Sequence, residues 1–399
     1  MESLKFVMTT TFYPPYHLGG DAVHVYQLSN ELAKLGHKVH IIHSIDSYKW
    51  QRKGEPAHQY PNHENITVHS IKSPLGKLTP LISYVIGVPY PIQKEIKDII
   101  NEIKPDVLHH HNIAGFGPFL LRIKAPTVLY TAHDYWSVCP MNGLTKYDRS
   151  YCTSKSNCLM CSIRSKRPPQ FWRNIGLMYK YLQNVDAIIT PSSYMKNKLA
   201  GFGLKGNFIT IPNFVPKLSD TGEAICTHPY FLFVGVIEEH KGIRNLIHSF
   251  IDSKSDMNVK LLVVGSGSLE NEMKEIITKN GYDDQIMMLG RIDDLKLANL
   301  YTHALAVIIP SIWPENCPLV ALEALNHATP IITSDEGGLP EIVKTSDAGI
   351  VFKDNKLSTI IRNYNSKDKL KFLTENAFES SKTNYTFDDF YKKYLSLIK

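Results

Sequence analysis

Two carboxylates and a pair of glycines lie close together in the sequence, between residues 315 and 338. Glu315 lies in a turn-rich segment, and Glu323 follows eight positions later, one turn into the apolar stretch Pro318–His327, which we predict to be a helix. Gly337 and Gly338 come shortly after. Carboxylates accept hydrogen bonds from hydroxyl groups, whereas the exposed N–H groups at a helix N-terminus favour an anion. The pattern therefore places acceptors for sugar hydroxyls beside donors for a charged group.

Two further glycine-containing turns have the composition of phosphate-binding loops. Gly19 and Gly20 follow the apolar run Lys5–Phe12, and glycine there lets the backbone approach a phosphate closely. The loop lacks the Gly-x-Gly-x-x-Gly fingerprint, which disfavours a nicotinamide dinucleotide. Lys241 opens a second helical pattern after the strand that ends at Gly235. A lysine at a helix N-terminus suits a diphosphate as a point charge.

Histidines provide the other candidate chemistry. His133 ends the predicted strand Thr127–His133 and is followed by Asp134, so both side chains enter a loop at a strand end. The triplet His109–His111 resembles a metal signal. Alternate side chains of a strand face opposite ways, however, so the three imidazoles cannot converge on one ion.

Strand and helix patterns alternate along the chain, which predicts parallel sheets flanked by helices. The alternation is interrupted by the polar segment Lys217–Pro229, which we interpret as a linker between two Rossmann-like domains. A last amphipathic helix is predicted over Phe387–Ile398. The predicted strands are Lys5–Phe12, Lys38–Ser44, Ile66–Ile71, Val107–His110, Thr127–His133, Asp186–Ser192, Asn207–Asn213, Tyr230–Ile237, Val259–Gly265, Ile286–Leu289, Leu305–Ser311 and Pro330–Ser334.

Four of these patterns, in this order over nearly the whole chain, resemble the retaining GT-B glycosyltransferases of family 4. They are the glycine pair of the first loop, Thr131–Asp134 around His133, Gly235 with Lys241–Gly242, and the Glu-x7-Glu of Glu315 and Glu323. The resemblance implies an α/β fold in which two Rossmann-like domains face each other across a cleft. It implies an acceptor domain over residues 1–215, joined by the C-terminal helix 385–399, and a donor domain over residues 216–384.

The resemblance also implies an activity and assigns roles. The expected reaction is a retaining hexosyl transfer from a UDP- or GDP-sugar to an acceptor hydroxyl, and no Asp-x-Asp motif lies near the site, which fits a reaction without a metal or other cofactor. The implied catalytic residues are His133, Lys241 and Glu315; the donor-binding residues are Gly19, Gly20, Gly235, Asn316, Cys317, Glu323, Gly337 and Gly338; and the acceptor-cleft residues are His111, Asn112 and Asp134.

One position departs from the family pattern. Val236 stands where an arginine usually completes the clamp on the leaving diphosphate, and Arg244, His240 or Arg291 are the candidates to replace it. This departure keeps two alternatives open. One is a non-catalytic partner subunit that binds a nucleotide sugar, and the other is a GT-B-like epimerase that needs no acceptor.

The cysteines suggest a structural metal. Four of the six lie between positions 139 and 161, and Cys158 and Cys161 have the spacing of a metal knuckle. We predict a zinc site formed by Cys139, Cys152, Cys158 and Cys161. The alternative is that they are reduced packing residues of a cytoplasmic protein.

The net charge of +6 is concentrated in one stretch, because Arg149–Val185 contains no Asp or Glu. Basic and aromatic residues alternate there, which favours an anionic membrane surface; no nucleic-acid motif accompanies them. The alternative is that the aromatics pack inward and the charges are solvated. We predict no signal peptide and no transmembrane helix, and expect a cytoplasmic protein, peripheral on the inner leaflet, with a saccharide or lipid-linked acceptor. The residues concerned are Arg164, Lys166, Arg167, Arg173, Phe171 and Trp172.

Overall fold

The structure, a computed structural model, describes residues 3–52, 54–56, 60–148, 150–154, 157–216, 222–254, 258–353 and 356–399. The chain divides into two compact units. The N-terminal unit consists of Met1–Pro212 and Tyr391–Lys399, and the C-terminal unit is Asn213–Phe390. Residues 217–221 of the predicted linker lie outside the described residues, as do Arg149 and Lys155 of the basic stretch.

The described part of the N-terminal unit contains one sheet of seven parallel strands in the order β3-β2-β1-β4-β5-β6-β7. The central strands are short apolar runs that are buried throughout, as strands covered by helices on both faces require. The chain builds outward from β1 in one direction and then returns to β4, so the β1/β4 boundary is the topological switch point. The strands are Lys5–Thr9 (β1), Lys38–Ser44 (β2), Ile66–Ile71 (β3), Val107–His110 (β4), Thr127–Thr131 (β5), Ala187–Thr190 (β6) and Phe208–Thr210 (β7).

Helices connect these strands, with a 3-10 turn at Pro118–Arg122. The first follows the glycine pair and begins at Gly20, with Gly19 as its extended N-cap. The helices are Gly20–Lys34 (α1), Ile45–Gln51 (α2), Leu78–Ile86 (α3), Gln93–Ile103 (α4), Cys158–Arg164 (α5), Phe171–Asn174 (α6), Leu177–Leu182 (α7) and Ser193–Gly201 (α8).

Helix α6 corrects part of the predicted membrane-facing stretch. Trp172 is only 2% exposed, stacks near Trp136 and donates its indole N–H to the carbonyl of Tyr84. The guanidinium of Arg173 donates to the carbonyls of Trp136 and Ser137 and lies over the Trp172 ring. Both side chains therefore make contacts within the N-terminal unit and are not available to a membrane surface.

The described part of the C-terminal unit contains six parallel strands in the order β10-β9-β8-β11-β12-β13, with its switch point between β8 and β11. The strands are Tyr230–Val234 (β8), Lys260–Val264 (β9), Ile286–Gly290 (β10), Ala306–Ile309 (β11), Ile331–Ser334 (β12) and Gly349–Phe352 (β13). The helices are Ile243–Ser253 (α9), Glu270–Lys279 (α10), Asp294–His303 (α11), Leu319–Asn326 (α12), Leu339–Ser346 (α13), Leu357–Asn363 (α14), Lys367–Thr383 (α15) and Phe387–Leu395 (α16).

Helix α16 contains the division between the units. Its first part stays with the C-terminal unit, where Phe387 and Phe390 pack on Phe214. Its later part belongs to the N-terminal unit, where the hydroxyl of Tyr394 bonds to Nδ1 of His109 at 2.8 Å.

Each predicted strand is present, and the α/β class with two parallel sheets is confirmed. The observed strands are mostly shorter, because residues such as Phe12 and Ser311 lie beyond the last ladder pair, in the loops that carry the candidate site. Strand β13 is absent from the prediction. Its run of four residues, Gly349–Phe352, is too short to give a periodic signal.

Candidate active site

The candidate donor site lies at the switch point of the C-terminal sheet, where β8 and β11 end side by side. A one-turn 3-10 segment, Glu239–Lys241, follows β8, and Gly242 then begins α9 with a φ of +71°. A Cβ on Gly242 would lie 1.9 Å from the carbonyl oxygen of Pro310. Only glycine permits this approach, which brings the start of α9 against the loop that follows β11.

Lys241 and Glu315 meet at this point. The Lys241 ammonium lies 2.6 Å from Oε1 of Glu315, and the Ser311 hydroxyl donates to the same oxygen at 2.7 Å. Gly338 donates its backbone N–H to the Glu315 carbonyl, and a Cβ on Gly337 would lie 2.1 Å from that oxygen. The structure therefore brings together a cation, an anion and the glycine turn after β12.

Three helices begin around this edge without a capping side chain. The N-caps are Gly242 for α9, Pro318 for α12 and Gly338 for α13, and none of them makes a side-chain hydrogen bond to its helix. Pro318 was predicted inside the first turn and instead precedes it. Uncapped N–H groups and the helix dipoles favour an anion at this edge.

Glu323, the second carboxylate of the Glu-x7-Glu pattern, lies on α12. Its Oε2 accepts a hydrogen bond from the Tyr301 hydroxyl at 2.7 Å, and Tyr301 stacks on His327 with ring centroids 5.5 Å apart. Burial raises the pKa of Glu323, and the bond from Tyr301 partly offsets the rise. Tyr301 therefore fixes the orientation of this carboxyl group.

The remaining donor-site residues lie on the loops around this edge. Gly235 follows β8, and its N–H donates to the carbonyl of Val264. Asn316 is half-buried next to Glu315, and Cys317 is buried, with its carbonyl accepting from the side chain of Asn213.

The side chain at Val236 is exposed and brings no charge to the site. Two of the three candidate replacements are engaged elsewhere. Arg244 is paired with Glu239 and Glu272, and Arg291 donates to the hydroxyl of Ser266 at 3.0 Å. His240 lies 6.2 Å from Trp313, ring to ring.

A polar cavity of about 590 Å³ adjoins the loop that follows β11, and it was not predicted. Ser311, Ser334 and Asp335 line it, and Asp335 pairs with Lys353 at 2.8 Å. No local pattern marks this set, since its members come from three separate strand ends.

The N-terminal unit has its own cluster, made of histidines. Nε2 of His133 lies 3.0 Å from Nδ1 of His111, and the His24 ring is 5.5 Å from that of His133. His111 is fully buried, whereas His133 is half-buried. Burial lowers the pKa of His133, and holds the pKa values of His24 and His111 well below the ordinary range.

The histidine triplet divides as the alternation of a strand requires. His109 and His111 stack with centroids 3.8 Å apart, whereas His110 points to the other face and bonds to Thr9. Among the described residues, no three His, Cys, Asp or Glu side chains form a metal-binding group.

The first loop and the loop after His133 add two acids. Asp21, in the first turn of α1, accepts a bond of 2.6 Å from the side-chain amide of Asn112. Asp134 accepts from the N–H of Trp136 and the side chain of Asn142. Burial nevertheless raises the pKa of Asp134 to about 7.

The predicted tetrathiolate zinc site is not formed. Cys139 is buried, and its sulfur accepts the N–H of Met141, whereas the thiol of Cys152 donates to the carbonyl of Ser154. Cys158 and Cys161 lie on one turn of α5. The described residues therefore support packing and local hydrogen-bonding roles for these thiols.

Comparison with known proteins decides the family. The Glycosyltransferase Family 4 profile matches residues 18–217, and the Glycosyl transferases group 1 profile matches residues 221–377. The chain belongs to glycosyltransferase family 4. This family 4 chain is 24% identical to an uncharacterized glycosyltransferase of Methanocaldococcus jannaschii, over 99% of this chain and 98% of the relative.

Solved structures establish the GT-B fold of this glycosyltransferase. Sucrose-phosphate synthase from Thermosynechococcus elongatus superimposes with a TM-score of 0.73 at 19% identity, covering 99% of this chain and 98% of the other. WaaG, a glycosyltransferase involved in lipopolysaccharide biosynthesis, superimposes with a TM-score of 0.63 at 13% identity, covering 99% of both chains. Family 4 enzymes use nucleotide-sugar donors. Within the described ranges, no helix combines the length and apolar character needed to cross a bilayer.

Proposed function

We propose that this glycosyltransferase moves a hexose from a nucleotide-diphosphate sugar to an acceptor hydroxyl with retention at the anomeric carbon. The observation that carries the proposal is the Lys241–Glu315 pair at the β8/β11 switch point, surrounded by three uncapped helix N-termini. When the bond from the anomeric carbon to the diphosphate breaks, negative charge builds on the departing oxygen. Fixed positive groups at that place stabilise the transition state most.

The roles divide among the residues of this edge. Lys241, the N–H groups at Gly337 and Gly338, and the start of α9 would stabilise the diphosphate. Glu315, oriented by Ser311, would accept from donor-sugar hydroxyls, with the backbone of Asn316 and Cys317 beside it. Glu323, oriented by Tyr301, would accept from the ribose hydroxyls.

The N-terminal unit would supply the acceptor side. His133 is neutral at physiological pH because its pKa is lowered, so it can donate or accept a hydrogen bond without introducing charge. Gly19 and Gly20 at the start of α1 would approach the phosphates, and Asn112 and Asp134 would contact the acceptor.

The acceptor we propose is a saccharide or lipid-linked saccharide of a cell-surface polysaccharide or glycolipid. The likeness to WaaG, which is involved in lipopolysaccharide biosynthesis, supports this class. The donor nucleotide is either UDP or GDP.

A thermal-shift screen against UDP-, GDP- and ADP-sugars tests the donor site. One nucleotide class should raise the melting temperature of the wild type. Glu323→Ala and Lys241→Ala should each lose most of that shift, because a charged hydrogen bond is worth about 1.5–3 kcal/mol. Lys274→Ala is the matched control, because Lys274 pairs with Glu270 on the same unit's surface. Equal shifts in all variants would reject the site.

A non-catalytic nucleotide-sugar-binding subunit is the second candidate, favoured by Val236 and by the engagement of Arg244 with Glu239 and Glu272. Donor turnover by the purified chain separates the two. Binding without hydrolysis or transfer would support the second candidate. In that case Val236→Arg, which restores the missing cation, should produce measurable turnover.

A further inference from the structure

Helix α3 is inverted with respect to the usual amphipathic pattern. Its buried residues are the small or polar Thr79, Pro80 and Ser83, whereas Leu78 is 58% exposed and Ile86 is 47% exposed. Surface helices ordinarily turn their apolar stripe inward. An outward apolar face on a helix needs a partner that covers it.

The inward polar face of α3 is hydrogen-bonded and therefore fixed. The Thr79 hydroxyl donates to Ser73 at 2.6 Å, and the Ser83 hydroxyl donates to the Thr79 carbonyl at 2.9 Å. Rotating the helix to bury Leu78 and Ile86 would break the bond to Ser73 and expose buried polar groups. The apolar face is thus held outward by the interior of the unit.

Helix α6 adjoins α3 and extends the apolar face. Trp172 packs beside Gly87 and donates to the Tyr84 carbonyl, which holds the two helices together. Next to Trp172, Phe171 is exposed, and Ile175 directly after α6 is 73% exposed. We define the α3/α6 surface as Leu78, Ile86, Phe171 and Ile175.

The two sequence segments that carry this surface have formal charge of one sign. No Asp or Glu occurs in Ile66–Lys94 or in Arg149–Val185, the two segments that contain α3 and α6. Lys77, immediately before α3, and Lys166 and Arg167, before α6, are exposed. A symmetric contact between two copies would place these like charges against each other. An anionic lipid surface satisfies both the apolar face and the bases.

We propose that the α3/α6 surface docks the N-terminal unit onto an anionic bilayer, with α3 lying in the interface and the bases on lipid headgroups. The proposal goes beyond the transfer reaction and is independent of the catalytic roles. It keeps the exposed bases of the predicted membrane segment. In place of the buried Trp172 and of Arg173, whose guanidinium is hydrogen-bonded to backbone carbonyls, it uses α3.

Vesicle flotation tests the proposal. The folded chain should partition onto vesicles of phosphatidylcholine with 40% phosphatidylglycerol at low salt, and about tenfold or more weakly onto phosphatidylcholine alone. Leu78→Gln with Ile86→Gln should lower the partition coefficient on anionic vesicles about tenfold or more, because two apolar side chains leave the interface. Lys166→Ser with Arg167→Ser should weaken anionic binding by about tenfold or more.

A matched control distinguishes docking through the α3/α6 surface from non-specific hydrophobic adsorption to vesicles. Leu295→Gln with Phe372→Gln removes two exposed apolar side chains of the C-terminal unit and should leave partitioning unchanged. Equal loss in this control and in the α3 variant would overturn the proposal. So would the absence of binding to anionic vesicles at low salt, or a solution dimer that the α3 variant dissociates.

Tryptophan fluorescence gives a second readout, which reports the face of the protein that contacts the lipid. The Trp50 ring is partly exposed and lies 6.5 Å from the Tyr84 ring of α3. Brominated lipids should quench the wild type on docking, and Trp50→Phe should lose most of this quenching while still binding. Undiminished quenching in Trp50→Phe would show that another face docks.

Discussion

The two units place opposite kinds of polar chemistry at equivalent places in their sheets. At the C-terminal switch point the structure has a charged pair, Lys241 and Glu315, that water can reach. In the N-terminal unit the histidines at the corresponding edge have lowered pKa values and are neutral; His111 is fully buried and His133 is half-buried. Twelve of the 17 histidines belong to the N-terminal unit's sequence.

This difference separates two tasks. A diphosphate leaving group brings charge that must be stabilised, so formal charges and helix N-termini suit that side. A hydroxyl acceptor brings none, and burying charge beside it would cost free energy without return. Neutral imidazoles can orient a hydroxyl group by hydrogen bonding without the free-energy cost of a buried charge.

The largest effect should come from the charged side. Lys241→Ala should lower kcat/KM by about 10²–10³, since it removes a cation from the developing charge. Lys274→Ala, a surface lysine paired with Glu270 at 2.8 Å, should retain wild-type kinetics. Steady-state assays with a single donor measure both. Equal rates would mean that this pair does not act on the diphosphate.

The variant Asp134→Asn tests whether a charged side chain is unfavourable at the candidate site of the N-terminal unit. Its pKa is raised to about 7, whereas the unfolded chain ionises near its ordinary value. Between those pH values the native state holds a proton that the unfolded state has lost, so this group lowers stability as pH rises. Asp134→Asn should be about 2 kcal/mol more stable than wild type at pH 8.5, or several degrees in melting temperature.

At pH 3 the Asp134 carboxyl is protonated in the native state and mostly protonated in the unfolded chain, so most of the advantage of Asp134→Asn should vanish. Thermal unfolding at the two pH values measures the difference directly. An advantage of the same size at both would show that Asp134 is already ionised in the native state.

His111 should have a smaller effect, acting through His133. Asparagine can reproduce the contact that Nδ1 of His111 makes with His133, so His111→Asn should keep kcat within about threefold of the wild-type value. His111→Ala should lower kcat about tenfold, because one hydrogen bond is lost. Water entering the cavity should also raise the pKa of His133, which moves the acidic limb of the kcat profile upward. His110→Ala is the control, because His110 faces Thr9.

Metal removal should have no effect. In the proposed mechanism Lys241 and the helix N-termini supply the positive charge, so activity should persist in excess EDTA. Loss of activity that Mg²⁺ or Mn²⁺ restores would place a cation, instead of Lys241, on the diphosphate.

The sequence predicted the sheets well and placed the candidate site residues at strand ends and helix starts, because apolar runs and helix starts are local signals. It missed Ser311 and Tyr301, which orient Glu315 and Glu323, because such pairings depend on elements brought together only in the fold. Tyr301 and Glu323 are 22 positions apart, with a complete strand between them.

Two features of the N-terminal unit show why sequence spacing does not give the direction of a side chain. Cys158 and Cys161 have the spacing of metal ligands, but they lie on one turn of α5, and the described residues contain no metal-binding group of three His, Cys, Asp or Glu side chains. The outward face of α3 also contradicts the rule that apolar residues face inward. Sequence spacing gives the distance along the chain, whereas the direction of a side chain is decided by what its element packs on.

Helix α16 has a consequence for synthesis on the ribosome. His109 is already in place when β4 emerges, but its partner Tyr394 is translated only after the whole C-terminal unit. The N-terminal unit is thus begun first and finished last. A frameshift or premature stop anywhere in the C-terminal unit removes Tyr391–Lys399, the last segment of the N-terminal unit. One such mutation therefore leaves both units incomplete and exposes both to proteolysis.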